Sequence, residues 1–272
     1  MYKSLLPLTG LVALTSGLVL YRQSAQNGVE MPDIEAIMSV DESSFKSYAA
    51  SFLPRGGNES EAGGTPSRWT CSAQALFTWG ELDDGHPGLF ITNADAAAYR
   101  GFYIYHNSCD SIPYKYIWVP PSSTRFVALP PRFEGRITRG VDQWSLRGVP
   151  QTLATWFEFS VDRYGWIWGD VSLIRGCDGA VVMWATDGSG AWKGFVQSIL
   201  ENAPLDAYDR KDSGVWVLKA SVNWDGSINR SVRDWEYFQV GPEHVYVDDW
   251  HGNPVITSTN GHFGTYWPAG RP

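Results

Sequence analysis

Two acidic residues stand on neighbouring strand-like segments near the middle of the chain. Glu158 lies within an alternating apolar run, residues 156–161, and Asp170 directly precedes a second run, residues 171–174. Carboxylates on short strands are costly unless they face water or a ligand. Two carboxylates about 5–10 Å apart are also the minimum that glycoside hydrolysis requires. The pair is therefore the first candidate for a catalytic or ligand-binding site.

The chemistry of this pair depends on its neighbours. Clustered carboxylates raise each other's pKa, so that one stays protonated as a general acid while the other stays ionised. The alternative is that Glu158 pairs with Arg136, Arg139 or Arg175 and that the acids only make one sheet face soluble. A cation such as Arg175 near the pair lowers carboxylate pKa values and so disfavours hydrolysis.

The composition restricts the partners. The net charge of −8 argues against nucleic acids and anionic membranes, because phosphate binding needs a basic face. The 14 tryptophans serve either as core residues or as a sugar-stacking surface, since flat apolar rings pack against the C–H face of sugars. Five of them surround the acidic segment: Trp156, Trp166, Trp168, Trp184 and Trp192.

Other chemistries find little support. The five histidines have no metal-binding spacing, and the three cysteines form no C-x-x-C pair. Residues 248–251 (DDWH) could bind a metal, but a loop turn explains them better. No G-x-S-x-G motif is present, so a nucleophile elbow is not supported. We therefore predict no metal site and no cofactor.

The first 68 residues differ in composition from the rest. Residues 1–25 combine a short positive start with an apolar run, which predicts a secretory signal peptide, with a retained membrane anchor as the alternative. Residues 26–68 are rich in Ser, Gly and acids and predict a disordered leader or propeptide. We expect a secreted protein without stable membrane association unless the anchor is retained. Asn58 and Asn229 begin glycosylation sequons, which a secreted glycoprotein could use.

Residues 69–272 predict one all-β domain, an antiparallel sandwich. Short alternating runs are separated by tight-turn pairs such as Asp-Gly and Asn-Gly. Only residues 193–202 have helical character. The predicted strands are 101–106, 114–119, 125–129, 135–138, 154–161, 170–174, 180–185, 215–220, 235–240, 244–247 and 262–266.

A family resemblance strengthens this interpretation. Residues 155–179 read TWFEFSVDRYGWIWGDVSLIRGCDG. They resemble the core signature of the thaumatin-like family, an E-F strand followed by D-[IV]-S-L-[IV]-D-G-[FY]-N. In the family's order, residues 102–109 (FYIYHNSC) resemble its strand ending in N-N-C. Residues 126–131 and 135–139 resemble its I-x-V-P-x-G…R-[IV]-W-x-R-T-x-C segment.

The resemblance extends to the end of the chain and covers about residues 101–272. Residues 241–249 (GPEHVYVDD) resemble C-P-x-A-Y-x-Y-x-x-D-D, and residues 266–268 (YWP) resemble a strand ending in F-C-P. In the family an Arg, a Glu and three Asp residues line a cleft. The resemblance places in this cleft Glu158, Asp170, one of Arg136 or Arg139, one of Asp248 or Asp249, and Asp178 in place of a lost acid. It implies that Glu158, Asp170 and Asp249 lie within about 10 Å of each other, with the arginine at the rim and at least one raised carboxyl pKa.

The chain also departs from the family. Most family cysteines are missing, and Arg175 stands where the third acid is expected. Cys109 matches a family half-cystine whose usual partner position holds Trp267. We therefore expect either a Cys71–Cys109 bridge or no disulfide, with Cys177 free.

Three functions remain open from the sequence. The resemblance implies a secreted thaumatin-like protein that binds β-glucan or another cell-wall polysaccharide through an acidic cleft flanked by aromatic residues. The alternative is a weak β-glucanase, a glycoside hydrolase with Glu158 and Asp170 as its catalytic residues. The third is a non-catalytic structural or host-interaction protein. Binding is favoured over catalysis because Arg175 replaces a cleft acid.

Overall fold

Alternating apolar side chains build two stacked β-sheets. A computed structural model describes Asp33 and residues 69–272. The larger sheet has seven strands, which in spatial order are β1 (Leu76–Thr78), β4 (Lys115–Val119), β3 (Arg100–His106), β6 (Glu134–Gly140), β7 (Trp156–Val161), β8 (Ile167–Ser172) and β13 (Ile256–Ser258). The smaller sheet has five: β10 (Trp192–Phe195), β9 (Val181–Ala185), β14 (His262–Trp267), β2 (Gly88–Asn93) and β5 (Ser123–Ala128).

The remaining elements are short and lie mostly in one connecting region. They are helix α1 (Asp142–Ser145), a 3₁₀ turn (Leu205–Ala207), the hairpin β11 (Tyr208–Arg210) with β12 (Trp216–Leu218), and helix α2 (Arg230–Val240). The prediction of an all-β domain is confirmed. The sheets are not purely antiparallel, because β1 pairs with β4, and β14 with β2, in parallel.

The core lies between the two sheets. The ring of Phe157 on β7 contacts Phe263 on β14 with centroids 5.9 Å apart, and Phe102 on β3 contacts Trp267 on β14 at 5.1 Å. All four side chains are buried. Because side chains alternate along a strand, the residues directly before and after Phe157 and Phe102 point away from the smaller sheet. We call that surface of the seven-stranded sheet its outer face.

Three predicted elements are wrong, one helix and two strands. Residues 193–202 do not form a helix: β10 ends at Phe195, and Gly194 adopts φ +103°, which a helix excludes. Residues 235–240 belong to α2 and not to a strand. Val232 and Val240 lie two turns apart and are both buried, so the apolar period is that of a helix. Gly241 ends this helix with φ +74°.

Residues 244–247 form no strand of their own. The backbone of Tyr246 bonds to Val171 and Leu173, which attaches the segment to the end of β8 through one isolated parallel bridge at Ser172. The other nine predicted strands overlap strands of the structure, with ends that shift by a few residues. The segment at 244–247 matters for the site because it brings the following acidic loop beside β8.

The cysteines follow the first of the two expected arrangements. Cys71 and Cys109 form a disulfide with Cα atoms 5.6 Å apart, and Cys177 is a free, buried thiol. Burial raises the pKa of the Cys177 thiol to about 12, so this cysteine is protonated and unreactive at neutral pH.

Some predictions lie outside the described residues, namely the signal peptide or anchor, the leader and the sequon at Asn58. Within the part that the structure describes, no helix is long and apolar enough to cross a membrane. The sequon at Asn229 directly precedes α2. Its Nδ2 donates hydrogen bonds to Ala220 O at 2.7 Å and Asn223 Oδ1 at 2.9 Å. A glycan on this nitrogen would replace one of the two bonds.

One acidic side chain is buried in the core without compensation. Glu236 lies on α2 between Val232 and Val240, and neither of its carboxyl oxygens has a hydrogen-bond partner among the described residues. Burial raises its pKa well above the usual value. The side chain is therefore held in its neutral form, and ionising it costs folding free energy.

We expect Glu236→Gln to increase stability at neutral pH but not under acid conditions. The folded-state pKa of Glu236 is above its unfolded value. Its contribution to stability is therefore fully present below the unfolded pKa and is lost as pH rises toward the folded one. The variant lacks this loss, so its free energy of unfolding relative to wild type should be higher at pH 8 than at pH 4. Urea unfolding at pH 4 and pH 8 measures it, and an equal difference at both pH values would contradict the assignment.

Candidate functional site

Three charged residues form a row on the outer face of the seven-stranded sheet. The register places Arg136 on β6 opposite Glu158 on β7, and Glu158 opposite Asp170 on β8. Directly opposite side chains have Cβ atoms about 4.5–5.5 Å apart. The two carboxylates predicted from the sequence are thus brought side by side.

The β7–β8 hairpin fixes this register. At its tip, Asp162 accepts hydrogen bonds from the backbone N–H groups of Tyr164 at 2.7 Å and Trp166 at 3.0 Å. Gly169 sits beside Asp170 but faces the core, where a Cβ would come within 2.9 Å of Phe263 and 3.0 Å of Phe157. A side chain at residue 169 would push these rings apart, so the glycine allows the core to pack directly beneath the carboxylates.

The two carboxyl groups share an electrostatically unfavourable environment. Burial raises the pKa of Glu158 and raises that of Asp170 well above its usual value, and the charge of Glu158 raises that of Asp170 further. Oδ1 of Asp170 is buried and has no hydrogen-bond partner among the described residues. The pair is therefore inclined to hold a proton and leaves an acceptor atom that a ligand could satisfy.

Four neighbouring residues shift the pKa of Glu158. A hydrogen bond from Ser172, two residues beyond Asp170 on β8, favours the ionised form. The positive charges of Arg136 and Arg175 also lower the pKa of Glu158, but they do not overcome the effect of burial. One further charge, on exposed Asp249, acts in the same direction as burial. The charge of Asp249 therefore acts on Glu158, and its place in a common cleft stays a prediction.

Arg136 is enclosed by aromatic rings. The sequence predicts this arginine at the rim of the site, but the structure buries it. Its guanidinium carbon is 4.1 Å from the ring centre of Trp156 and 4.8 Å from that of Tyr105. Nη2 lies 2.7 Å from Asp110 Oδ1, an ion pair whose alignment is not that of a hydrogen bond, and Nε has no partner among the described residues. The positive charge of this buried guanidinium, which is held between two rings, stabilises the ionised form of Glu158.

Arg139 lies on the other face of the sheet, three residues along β6 from Arg136. It is buried between the sheets, where it donates hydrogen bonds to Asp178 O at 3.0 Å and Ala180 O at 2.5 Å. Asp178 is also buried, with Lys211 Nζ 2.9 Å from Oδ2 and Arg139 Nη1 3.7 Å from Oδ1. These two predicted cleft residues therefore form an internal ion-pair network, and Asp178 does not replace the missing cleft acid.

Asp248 is likewise a structural residue. It is buried, lies 3.1 Å from Arg233 Nη1 and accepts hydrogen bonds from the backbone of Trp250 and His251 at 3.0 Å. Its oxygens also lie 2.8 Å from Nδ1 of His251. The Asp248 side chain thus holds the loop that presents Asp249. Across the described residues, no group of three or more acidic, His or Cys side chains could hold a metal ion.

Helix α1 covers part of the outer face next to the row. The hydroxyl of Tyr103 donates a hydrogen bond to Asp142 Oδ1 at 2.6 Å, and Tyr105 donates to Ser145 O at 3.4 Å. Burial raises the pKa of Tyr105 to about 12. The charged row is therefore bounded on the β3 side by α1 and at the far end of β8 by the acidic loop.

The tryptophans predicted near the acids divide between two sheets. Trp156 and Trp168 share the outer face with the carboxylates, and Trp168 is 42% exposed. Trp184 and Trp192 belong to the five-stranded sheet, and Trp166 lies exposed at the hairpin.

Two exposed tryptophans that adjoin charged residues acting on Glu158 were not identified from the sequence. They are Trp224, which contacts Arg175, and Trp250, which follows Asp249. No local sequence signal places either of them near the carboxylates.

Comparisons with known proteins give little further information. No family model matches the chain, and no curated protein matches it. One matching solved structure is a laminaripentaose-producing β-1,3-glucanase in complex with laminaritetraose, with 15% identity and a TM-score of 0.33. The match covers 50% of this chain and 52% of that chain. A similarity this weak supports no conclusion about the site.

We expect Glu158→Gln to lower the pKa of Asp170. The substitution removes the neighbouring charge but leaves the burial, so the pKa of Asp170 should fall and yet stay above its usual value. Carboxyl ¹³C NMR titration measures the shift. Asp206→Asn, a change of an exposed acid in the 3₁₀ turn, is the control and should leave Asp170 unchanged. An unaltered Asp170 titration in Glu158→Gln would show that the pair is not coupled.

Proposed function

We propose that this protein binds a cell-wall polysaccharide at the outer face of its seven-stranded sheet. The observation that carries the proposal is the register-matched pair of Glu158 and Asp170 with a buried, unpartnered carboxyl oxygen. Sugar hydroxyls donate and accept hydrogen bonds, so they satisfy both an ionised and a protonated carboxyl group. A polyhydroxylated ligand can therefore form hydrogen bonds with the pair whether or not the pair holds a proton.

The aromatic surroundings support a sugar ligand. Trp168 is half-exposed on the same strand as Asp170, and Trp250 is exposed beside Asp249. Flat rings next to hydrogen-bonding groups match the two surfaces of a pyranose, its C–H face and its hydroxyl edge. The resemblance to the thaumatin-like family directs the choice of polymer to β-glucan. We include in the proposal that the protein is a divergent thaumatin-like protein and is secreted.

Hydrolysis is the second candidate because the coupled carboxylates supply its minimum chemistry. A general acid with a raised pKa next to an ionised carboxylate is the arrangement that glycosidases use. Two features favour binding. Glu158 and Asp170 are only partly exposed, and the positive charge of Arg175 opposes the raised pKa that Glu158 would need as a general acid.

We expect the protein to co-sediment with insoluble β-1,3-glucan and not to release reducing sugar. The double variant Glu158→Ala/Asp170→Ala should bind about tenfold or more weakly, because it loses hydrogen bonds that involve a charged group. The matched control is Asp83→Asn/Asp84→Asn, which also removes two acids but in the exposed loop between β1 and β2.

Release of reducing sugar and retention of the protein on the insoluble polymer are measured in the same samples. Release by the wild type that disappears in Glu158→Gln would replace the binding proposal with the hydrolase. Absence of both retention and release, with insoluble cellulose and chitin tested alongside, would contradict both candidates.

A further inference from the structure

An exposed tryptophan stands at the tip of a well-braced turn near the acidic pair. The side chain of Trp224 is 69% exposed. The turn around it is held by Asp225, whose Oδ1 accepts hydrogen bonds from the backbone N–H of Ser227 at 2.9 Å and its hydroxyl at 2.6 Å. Asn223 N–H also donates to Ser227 O at 2.8 Å. The indole is therefore presented to solvent by a fixed backbone.

A single exposed tryptophan needs no functional explanation, but this one has a specific partner. The guanidinium carbon of Arg175 lies 3.6 Å from the centre of the Trp224 ring. Nη1 of Arg175 donates a hydrogen bond to Val222 O at 3.0 Å, so the cation is fixed to the base of the same turn. One face of the indole thus rests on the guanidinium. Its large exposure must come from the opposite face and the edge.

The same guanidinium connects the indole to the carboxylates. Arg175 follows β8 by three residues and is close enough to Glu158 for its charge to lower the pKa of that carboxyl group. The cation therefore contacts the exposed indole and acts electrostatically on Glu158. A guanidinium has five N–H donors, and within the described residues the structure records one of them bonded to protein.

We propose that Trp224 and Arg175 form a sugar-binding subsite adjoining the Glu158–Asp170 pair. The free face of Trp224 stacks on the C–H face of one pyranose ring, and Arg175 donates hydrogen bonds to the hydroxyl groups of that ring. The next ring along the polymer then reaches the carboxylates. This inference rests on the proposed function and adds to it the direction of the chain, from the acidic pair on β8 toward the 223–226 turn.

The molecule contains a matched control for this subsite. On the β11–β12 hairpin, Arg210 is paired across the strands with Trp216, and its guanidinium carbon lies 4.7 Å from the ring centre. Trp216 is 50% exposed. Neither residue is among the groups that influence the pKa of Glu158 or Asp170. The pair therefore reproduces the chemistry of Arg175 and Trp224 at another position.

The test is the affinity for a soluble β-1,3-linked glucohexaose, measured by isothermal titration calorimetry on the folded full chain. We expect Trp224→Ala to weaken binding about tenfold, Trp224→Phe to restore part of the loss, and Trp216→Ala to stay within about twofold of wild type. Thermal unfolding of each variant checks that the fold is unchanged.

Arg175→Met separates the hydrogen-bonding role of Arg175 from the effect of its charge. Loss of the charge should raise the pKa of Glu158 and move the pH profile of affinity to higher pH, whether or not Arg175 contacts the sugar. A direct contact predicts in addition that the highest affinity reached along the profile falls about tenfold. A profile that is displaced in pH but keeps the wild-type maximum would overturn the role assigned to Arg175.

The outcomes distinguish this inference from the proposed function. If wild type binds and Glu158→Ala/Asp170→Ala weakens binding while Trp224→Ala behaves like Trp216→Ala, the subsite is wrong and the binding function stands. If wild type does not bind the hexaose or the insoluble polymer, both are wrong.

Discussion

The site depends on one unfavourable interaction, the placement of two carboxylates directly opposite each other on adjacent strands. Glu158 and Asp170 face each other because the register of β7 and β8 is fixed by the Asp162 turn and by the packing of Phe157 against Phe263. A shift of either strand by one residue would turn the acid on that strand into the core. The core therefore holds the pair together against mutual repulsion, and the pair responds by a raised pKa of each group.

The neighbouring cations limit this cost in two different ways. Arg136 is buried, braced by Trp156 and Tyr105, and cannot turn toward a ligand without leaving its rings. Arg175 lies in a turn against an exposed indole and retains donor groups for other partners. The first cation stabilises the sheet around the acids, whereas the second is suited to contact what binds there. Of the two cations, Arg175 is therefore the one whose N–H donors are available to a ligand at this face.

The alternation of apolar and polar residues is enough to predict most of the strands. The sequence leaves Arg136 and Arg139 as alternatives, and the register decides between them: Arg136 shares a face with Glu158 and Asp170, and Arg139, three residues further on, faces the core. The same reasoning could not separate Asp248 from Asp249, because they lie in a loop where hydrogen bonds to Trp250 and His251 decide which one is buried.

The sequence did not predict helix α2 or the contacts between segments that are distant along the chain. Residues 235–240 predict a strand because Trp235 and Tyr237 alternate with polar residues, but Val232 and Val240 have the spacing of the helix that the structure shows. Contacts between Arg175 and Trp224 join segments that only the complete fold brings together. Sequence patterns of period two or 3.6 contain no information about such pairs.

The most direct test of the central claim is whether carbohydrate binding is linked to the protonation of the pair. A bound sugar excludes water from Glu158 and Asp170, which should raise their pKa further and cause proton uptake near the pH at which the pair titrates. Calorimetric titration with β-1,3-glucohexaose in two buffers of different ionisation enthalpy measures this uptake. We predict a fractional proton taken up per ligand bound by wild type and none by Glu158→Gln/Asp170→Asn. Tight binding with the same heat in both buffers across that pH range would contradict the account.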